Sequence, residues 1–318
     1  MAQVRAIDNP AISPARLAIE ACKNDDVSLL IQAISLASNP ESRQTVEVVI
    51  QRGLQSSLMR TAPRVLSYML NHGADVSTVY AFMIGSMEEP EKPSLEILEM
   101  LIVHGWNINA RRNNSSFPLL WHVLRYPDLV EWCLAQGAGV DFPDDPPARG
   151  APPREPLLVY VATQATVATF ELLRKNGAPL YQRALHAAVD KAASGSPPHD
   201  SSDQPILAAA LFKERMEMVR YLVDVIGFGV NSEEWYSSYC CLCRATPLYY
   251  VADSIYKKDV REVTWFLLDR GADPDRTSTM GDRPVPSAIG IAQMRSNTRF
   301  LEAVQEWQDR QHNNVKTA

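Results

Sequence analysis

The residues of this 318-residue chain with reactive side chains are six histidines, five cysteines, eleven tyrosines and a few paired acids. Cys240-Cys241-Leu242-Cys243 contains one C-x-x-C spacing, enough for two zinc ligands. A structural zinc site needs four ligands and no second pair follows at a useful interval, so no metal site is expected. Acid pairs stand at Asp25-Asp26, Asp144-Asp145 and Glu233-Glu234. Neighbours in sequence seldom face one another, so these are not the opposed carboxylates of a glycoside hydrolase. The chain also lacks a phosphate-cradling glycine loop, an H-E-x-x-H zinc helix and a G-x-S-x-G serine turn. No cofactor is expected. What remains is a histidine beside a tyrosine, a pair that does acid/base work near neutral pH if an apolar pocket holds it.

Composition narrows the setting for such a site. The chain is 46% hydrophobic and 21% charged, with 31 Lys+Arg against 37 Asp+Glu and a net charge of -6. That is a globular composition, without the positive field that a phosphate backbone demands, so nucleic acid is not an expected partner. No apolar run approaches the roughly 20 residues of a membrane span, and Met1 to Pro14 does not read as an export signal, so no membrane association is expected. An odd number of cysteines without an export signal points to reduced thiols and an intracellular location, cytoplasmic or nuclear.

Internal repetition supplies the elements that would position any site. Leu70-Asn71-His72-Gly73-Ala74-Asp75 recurs in kind around Gly105, Gly137, Gly177 and Gly271, and more loosely around Gly227. The glycines are spaced by 32, 32, 40, 50 and 44 residues. Five and four residues before each lies an apolar pair: Tyr68/Met69, Met100/Leu101, Trp132/Cys133, Leu172/Leu173, Leu222/Val223 and Phe266/Leu267. That regularity predicts a helix closing on a buried stripe, with glycine as its left-handed C-terminal residue. Upstream, Phe117-Pro118-Leu119, Glu155-Pro156-Leu157 and Thr246-Pro247-Leu248 each open a helix with proline in the first turn, and Ala184 to Ala188 opens one without it. Each unit therefore reads as helix, turn, helix, loop.

Thr246-Pro247-Leu248, Leu185-His186-Ala187-Ala188, His72-Gly73-Ala74-Asp75 and Gly271-Ala272-Asp273 resemble the opening and closing motifs of the ankyrin-repeat family. The resemblance implies an all-α solenoid of about seven to eight helix-turn-helix units with extended finger loops. It divides the chain into residues 1–61, helical or degenerate repeats; 62–276, repeats interrupted by insertions at 143–155, 194–204 and 233–244; and 277–318, C-terminal capping helices and a polar tail. Pro14 to Ala37 and Thr45 to Met59 read as amphipathic helices, and Val285 to Gln308 as the capping pair. By the family's architecture the first and third insertions lengthen fingers, whereas the second separates the two helices of one unit as a surface loop.

Seen against that pattern, most histidines are structural: His72 and His104 meet the last carbonyls of their helices, and His186 matches the family histidine that hydrogen-bonds between units. His122 departs from it, standing with Tyr160 where two successive units normally carry a small alanine. The helices either splay around filled space or open a pocket lined by Trp121, His122, Tyr160, Tyr249 and Tyr250. The aromatic insertion bearing Trp235, Tyr236 and Tyr239 either packs back or binds, and Trp106, just after its glycine, is expected to be partly exposed. The resemblance implies recognition of a protein partner through the concave face and fingers, with Trp106, Trp121, Trp235, Tyr236 and Tyr239 as aromatic anchors. The alternative is a small-molecule binder, or a metal-free, non-hydrolytic enzyme of the lyase, isomerase or cyclase type, holding a small apolar ligand around His122 and Tyr160. Cys22 and Cys133 read as core residues.

Overall fold

A computed structural model describes residues 13–84, 92–112, 116–141, 155–194, 205–238, 241–254, 259–280 and 283–317. The chain is mostly helical, with fifteen α-helices and two short hairpins among the described residues. It divides into two compact units, Met1–Gly139 with Asp144–Pro152 and Val140–Pro143 with Pro153–Ala318.

The first unit holds α1 (Pro14–Asn24), α2 (Val27–Ala37), α3 (Val46–Arg60), α4 (Pro63–Asn71), α5 (Leu95–Val103), α6 (Leu119–His122) and α7 (Pro127–Ala135). The stretch Pro14 to Ala37 is two helices rather than one. Asp25 takes the left-handed conformation at φ 46 and ends α1, and the Asp26 carboxylate starts α2 by accepting from the Ser28 and Leu29 amides. The Asp25 carboxylate also accepts from the backbone N–H groups of Arg64 and Val65, at 3.2 and 2.9 Å. It thereby caps α4, whose own N-cap residue, Ala62, has no side chain to do so.

The ends of α4, α5 and α7 share one geometry. At Gly73, φ is 84, the Gly73 amide donates to Leu70 and the Ala74 amide to Met69. These two bonds form a Schellman motif, and only glycine takes that φ without a Cβ clash. The same pair of bonds closes α5 at Gly105 and α7 at Gly137. Beyond the glycine, Asp75 and Asn107 each accept from the amide two residues on, fixing the start of the loop. Asn109 then reaches the turn after α7 in the same unit, accepting from the Gly139 amide at 2.8 Å and donating to the Gly137 carbonyl at 3.0 Å.

In the second unit lie α8 (Leu157–Gln164), α9 (Val167–Lys175), α10 (Arg183–Ser194), α11 (Pro205–Arg220), α12 (Pro247–Asp253), α13 (Arg261–Asp269), α14 (Ala288–Arg295) and α15 (Thr298–Thr317). Helices α8, α10, α12 and α14 pack on one another in series, and each also packs on the helix immediately after it. Thr166, Thr246 and Ser287 cap α9, α12 and α14 with their hydroxyls. The region expected to hold the capping pair contains two helices, α14 and α15.

The stripe is narrower than a pair before Gly73, Gly105, Gly137 and Gly177, whereas before Gly271 both Phe266 and Leu267 are buried. Met69, Leu101, Cys133, Leu173 and Leu267, four residues before their glycines, are fully buried, while Tyr68, Met100, Trp132 and Leu172 beside them are half-buried. Before Gly227 the register slips. A π turn at Tyr221–Val225 continues α11, so Leu222, five residues before the glycine, takes the buried place and its carbonyl receives the Phe228 amide.

The third insertion forms a hairpin, β1 (Glu234–Ser238) antiparallel to β2 (Cys241–Ala245), with Trp235 opposite Arg244 and Tyr236 opposite Cys243. A second hairpin, β3 (Ser278–Met280) with β4 (Arg283–Val285), precedes α14 and was not foreseen from the sequence. The insertions at 143–155 and 194–204 fall almost wholly outside the described residues.

Candidate functional site

Tryptophan 106 corrects the sequence reading. It is 4% exposed, not partly exposed, and its indole N–H donates to the Val79 carbonyl at 2.9 Å. A buried indole needs such an acceptor, so the ring pins the loop before it rather than facing outward. Gln51 holds the same loop through a side-chain hydrogen bond from its amide to the Thr78 hydroxyl. Just beyond these two anchors a single 3-10 turn, Ala81–Met83, lies against α3 and α6.

That turn carries an aromatic residue that reaches solvent. Phe82 is 46% exposed, and its ring stacks on Tyr80 with centroids 6.2 Å apart and planes within 10°. Arg112, exposed on the next loop, lies over the Phe82 ring at 5.9 Å. Sequence reasoning missed this group because it followed tryptophans and departures from the repeat, and Phe82 is neither. The available signal was position, an aromatic pair in the loop after His72-Gly73-Ala74-Asp75. The second unit has a counterpart after its own glycine, where Leu180 and Tyr181 are 41% and 47% exposed.

Of the proposed pocket residues, Trp121 is 3% exposed and stacks on Phe117 at 6.3 Å, while His122 is half-buried at the end of the four-residue α6. The His122 Nδ1 is buried with no hydrogen-bond partner among the described residues. Burial pushes its pKa below the usual histidine range, against a backbone hydrogen bond with Phe117 that pulls the other way. Tyr249 and Tyr250 are buried in α12, and Tyr160 is half-buried in α8. Since His122 and Trp121 belong to the first unit and the three tyrosines to the second, neither unit contains the full set. Trp235 and Tyr236 lie on β1, and Tyr239 and Cys240 lie outside the described residues.

His72, His104, His186, Cys22 and Cys133 have structural surroundings. His72 and His104 bond through Nδ1 to the Tyr68 and Met100 carbonyls, at 2.7 and 2.8 Å. His186 is fully buried, its Nε2 3.0 Å from the Ser232 carbonyl and its ring edge-on to Tyr250 at 5.3 Å. Burial drives its pKa down to about 4. Cys22 and Cys133 are buried as expected, their thiols pushed up to about 11 and about 12 by desolvation, which leaves them protonated and inert.

In the second unit, aromatic rings and ion pairs interlock. Arg220 and Arg270 lie over Phe266 while binding Glu262 and Asp224, and Arg261 and Arg310 lie over Trp265 with Arg261 also holding Glu306. Every acid in this network is already engaged by an arginine, so the network binds helices together and leaves no carboxylate for chemistry. Among the described residues no helix is long and apolar enough to cross a membrane. No protein-family model matches the chain, and no curated protein matches it either.

Proposed function

We propose that the chain is an ankyrin-type repeat protein whose task is to recognise a protein partner through its loops. The recurrent helix-ending turn supports the repeat reading, as do the asparagine bonds from one turn to the next and the serial packing of α8, α10, α12 and α14. The observation that carries the recognition reading is the exposure of Phe82 and Tyr181, one on a loop of each unit, while Trp106 and Trp121 are buried. Exposed aromatics on loops that a folded scaffold holds still are what a binding surface needs. The partner is sought inside the cell, where protonated, buried Cys22 and Cys133 remain reduced.

The test is affinity capture from cell extract with the wild-type chain, Phe82→Ala and Tyr181→Ala as parallel baits, read by quantitative mass spectrometry. A protein retained by the wild type, lost from at least one variant and shown to bind directly when purified supports the reading. Capture insensitive to both substitutions, with thermal midpoints unchanged, refutes it.

A second reading rests on His122, whose buried Nδ1 has no partner among the described residues. A small apolar ligand with one hydrogen-bonding atom would complete it. Such a ligand should raise the thermal midpoint of the wild type and leave His122→Ala unmoved; a library that shifts neither protein, or both equally, removes this reading.

A further inference from the structure

We infer that Tyr80, Phe82 and Arg112 form a docking point for an acidic segment of a protein partner, one carboxylate with an apolar side chain beside it. The inference rests on the protein-recognition reading and adds the chemistry of what is recognised. It begins with how this protein uses arginines elsewhere. Of the four arginines that lie over aromatic rings among the described residues of the second unit, three also hold a carboxylate: Arg220 with Glu262, Arg270 with Asp224 and Arg261 with Glu306. A ring beneath the guanidinium fixes its plane, and its edge N–H groups then meet a carboxylate in the fork geometry that arginine prefers. Arg112 has the ring, Phe82 at 5.9 Å, and no carboxylate within ion-pair distance among the described residues. Arg112 is exposed, so its guanidinium is accessible from solvent.

The neighbouring surface supplies the apolar half. Phe82 is 46% exposed although it is stacked on Tyr80, so one side of the ring pair is still open to an incoming side chain. The turn that carries it is not loose. Its amides close onto the Tyr80 and Ala81 carbonyls, Trp106 holds the Val79 carbonyl from below, and Gln51 holds Thr78. A surface held in this way gives up little conformational entropy when occupied, which allows a small contact to be specific. The chain as a whole carries a charge of -6, so an acidic partner would be selected by the local geometry at Arg112 and not by long-range attraction. The acidic requirement therefore falls on one position of the partner.

The experiment selects short random peptides against the full-length chain and measures Kd for the recovered sequences against wild type, Arg112→Gln, Arg112→Lys and Phe82→Ala. Recovered peptides should carry Asp or Glu next to an aliphatic or aromatic residue. Arg112→Gln should weaken binding about ten-fold, and replacing the peptide's acid by its amide should have the same effect. Arg112→Lys should recover only part of the loss, because lysine keeps the charge without the fork. Arg112 is exposed, so thermal midpoints of its variants should match wild type. Neutral or basic peptides, no recovered peptide, or unchanged affinity in Arg112→Gln would overturn the inference. A captured protein that depends on Phe82 or Tyr181 but ignores Arg112 would leave protein recognition standing and remove only the acidic segment.

Discussion

Lowering the pH from 7 to 5 should cost the folded chain about 2 kcal/mol through His186 alone. The side chain is 0% exposed, and its Nε2 lies 3.0 Å from the Ser232 carbonyl, so the neutral ring carries its proton there and donates. Nδ1 is 3.4 Å from the Gln182 carbonyl, but holding a second proton would place a full charge in the core beside Tyr250. Burial accordingly sets the folded-state pKa at about 4, against 6.5 in the unfolded chain. The unfolded state binds the proton first, so stability is complete above pH 6.5, falls as the pH drops through 6.5, and stops falling below 4. A shift of that size corresponds to about 3 kcal/mol in all, of which about 2 is lost by pH 5. Urea unfolding at pH 7, 6 and 5, followed by far-ultraviolet circular dichroism, measures it. The reference is His186→Gln, which keeps a side-chain donor for Ser232 and does not titrate. Groups common to both proteins, His122 included, cancel in the comparison. If the gap between wild type and His186→Gln stays constant from pH 7 to pH 5, the ring is not held neutral by burial and the reasoning fails.

Asn231 donates to the Gly271 carbonyl at 2.7 Å and accepts from the Asp273 amide at 2.8 Å, so Asn231→Ala should lose about 1 to 2 kcal/mol in urea unfolding. Asn231→Asp keeps the acceptor but sets an anion against Gly271; wild-type stability in that variant would show that the donor is idle. For Asp25, which caps α4 from a left-handed conformation, the expected order of thermal midpoints is wild type, Asn, Gly, Ala. Glycine recovers about 1 kcal/mol of backbone strain that alanine cannot, and an alanine variant above the glycine variant would contradict the assignment. Thr264 is fully buried and its hydroxyl has no hydrogen-bond partner among the described residues, so Thr264→Val should raise stability by about 1 kcal/mol. A loss on calorimetry would mean that the hydroxyl has a partner in the folded protein.

How much of this was legible in the sequence follows from how local each determinant is. Gly73 and its counterparts were readable because a positive φ is written in one residue, and the Thr246-Pro247 opening because a cap and a proline act within one turn. The insertion at 233–244 was expected to lengthen a hairpin-like finger, and the strands Glu234–Ser238 and Cys241–Ala245 pair there as a hairpin. The break at Asp25 was not seen, because aspartate rarely takes φ 46 and does so here while its carboxylate serves α4, forty residues away. The π turn at Tyr221–Val225 was hidden for a related reason. One extra residue leaves the apolar pattern intact and changes only which member of the pair is buried, Leu222 in place of Val223. The β3–β4 hairpin consists of two three-residue strands, too short for alternation to stand out.

The misreading of Trp106 shows what separates an anchor from a contact. From sequence both are large aromatics near a loop, and size favoured tryptophan. The indole N–H decides between them, because in the core it must find an acceptor, and the Val79 carbonyl of the preceding loop is one. Phenylalanine has no such demand, and Phe82 can stand in solvent on a loop that the tryptophan keeps in place. Asn109 does for the Gly137 and Gly139 turn, and Asn231 for the Gly271 and Asp273 turn, what Trp106 does for Val79. In each case a loop is held by a polar atom from the adjoining turn or helix end. The exposed side chains thereby acquire fixed positions without being packed themselves. A substitution at one of these anchors should therefore impair recognition without ever touching the partner, and a substitution at Phe82 or Tyr181 should impair it with stability unchanged.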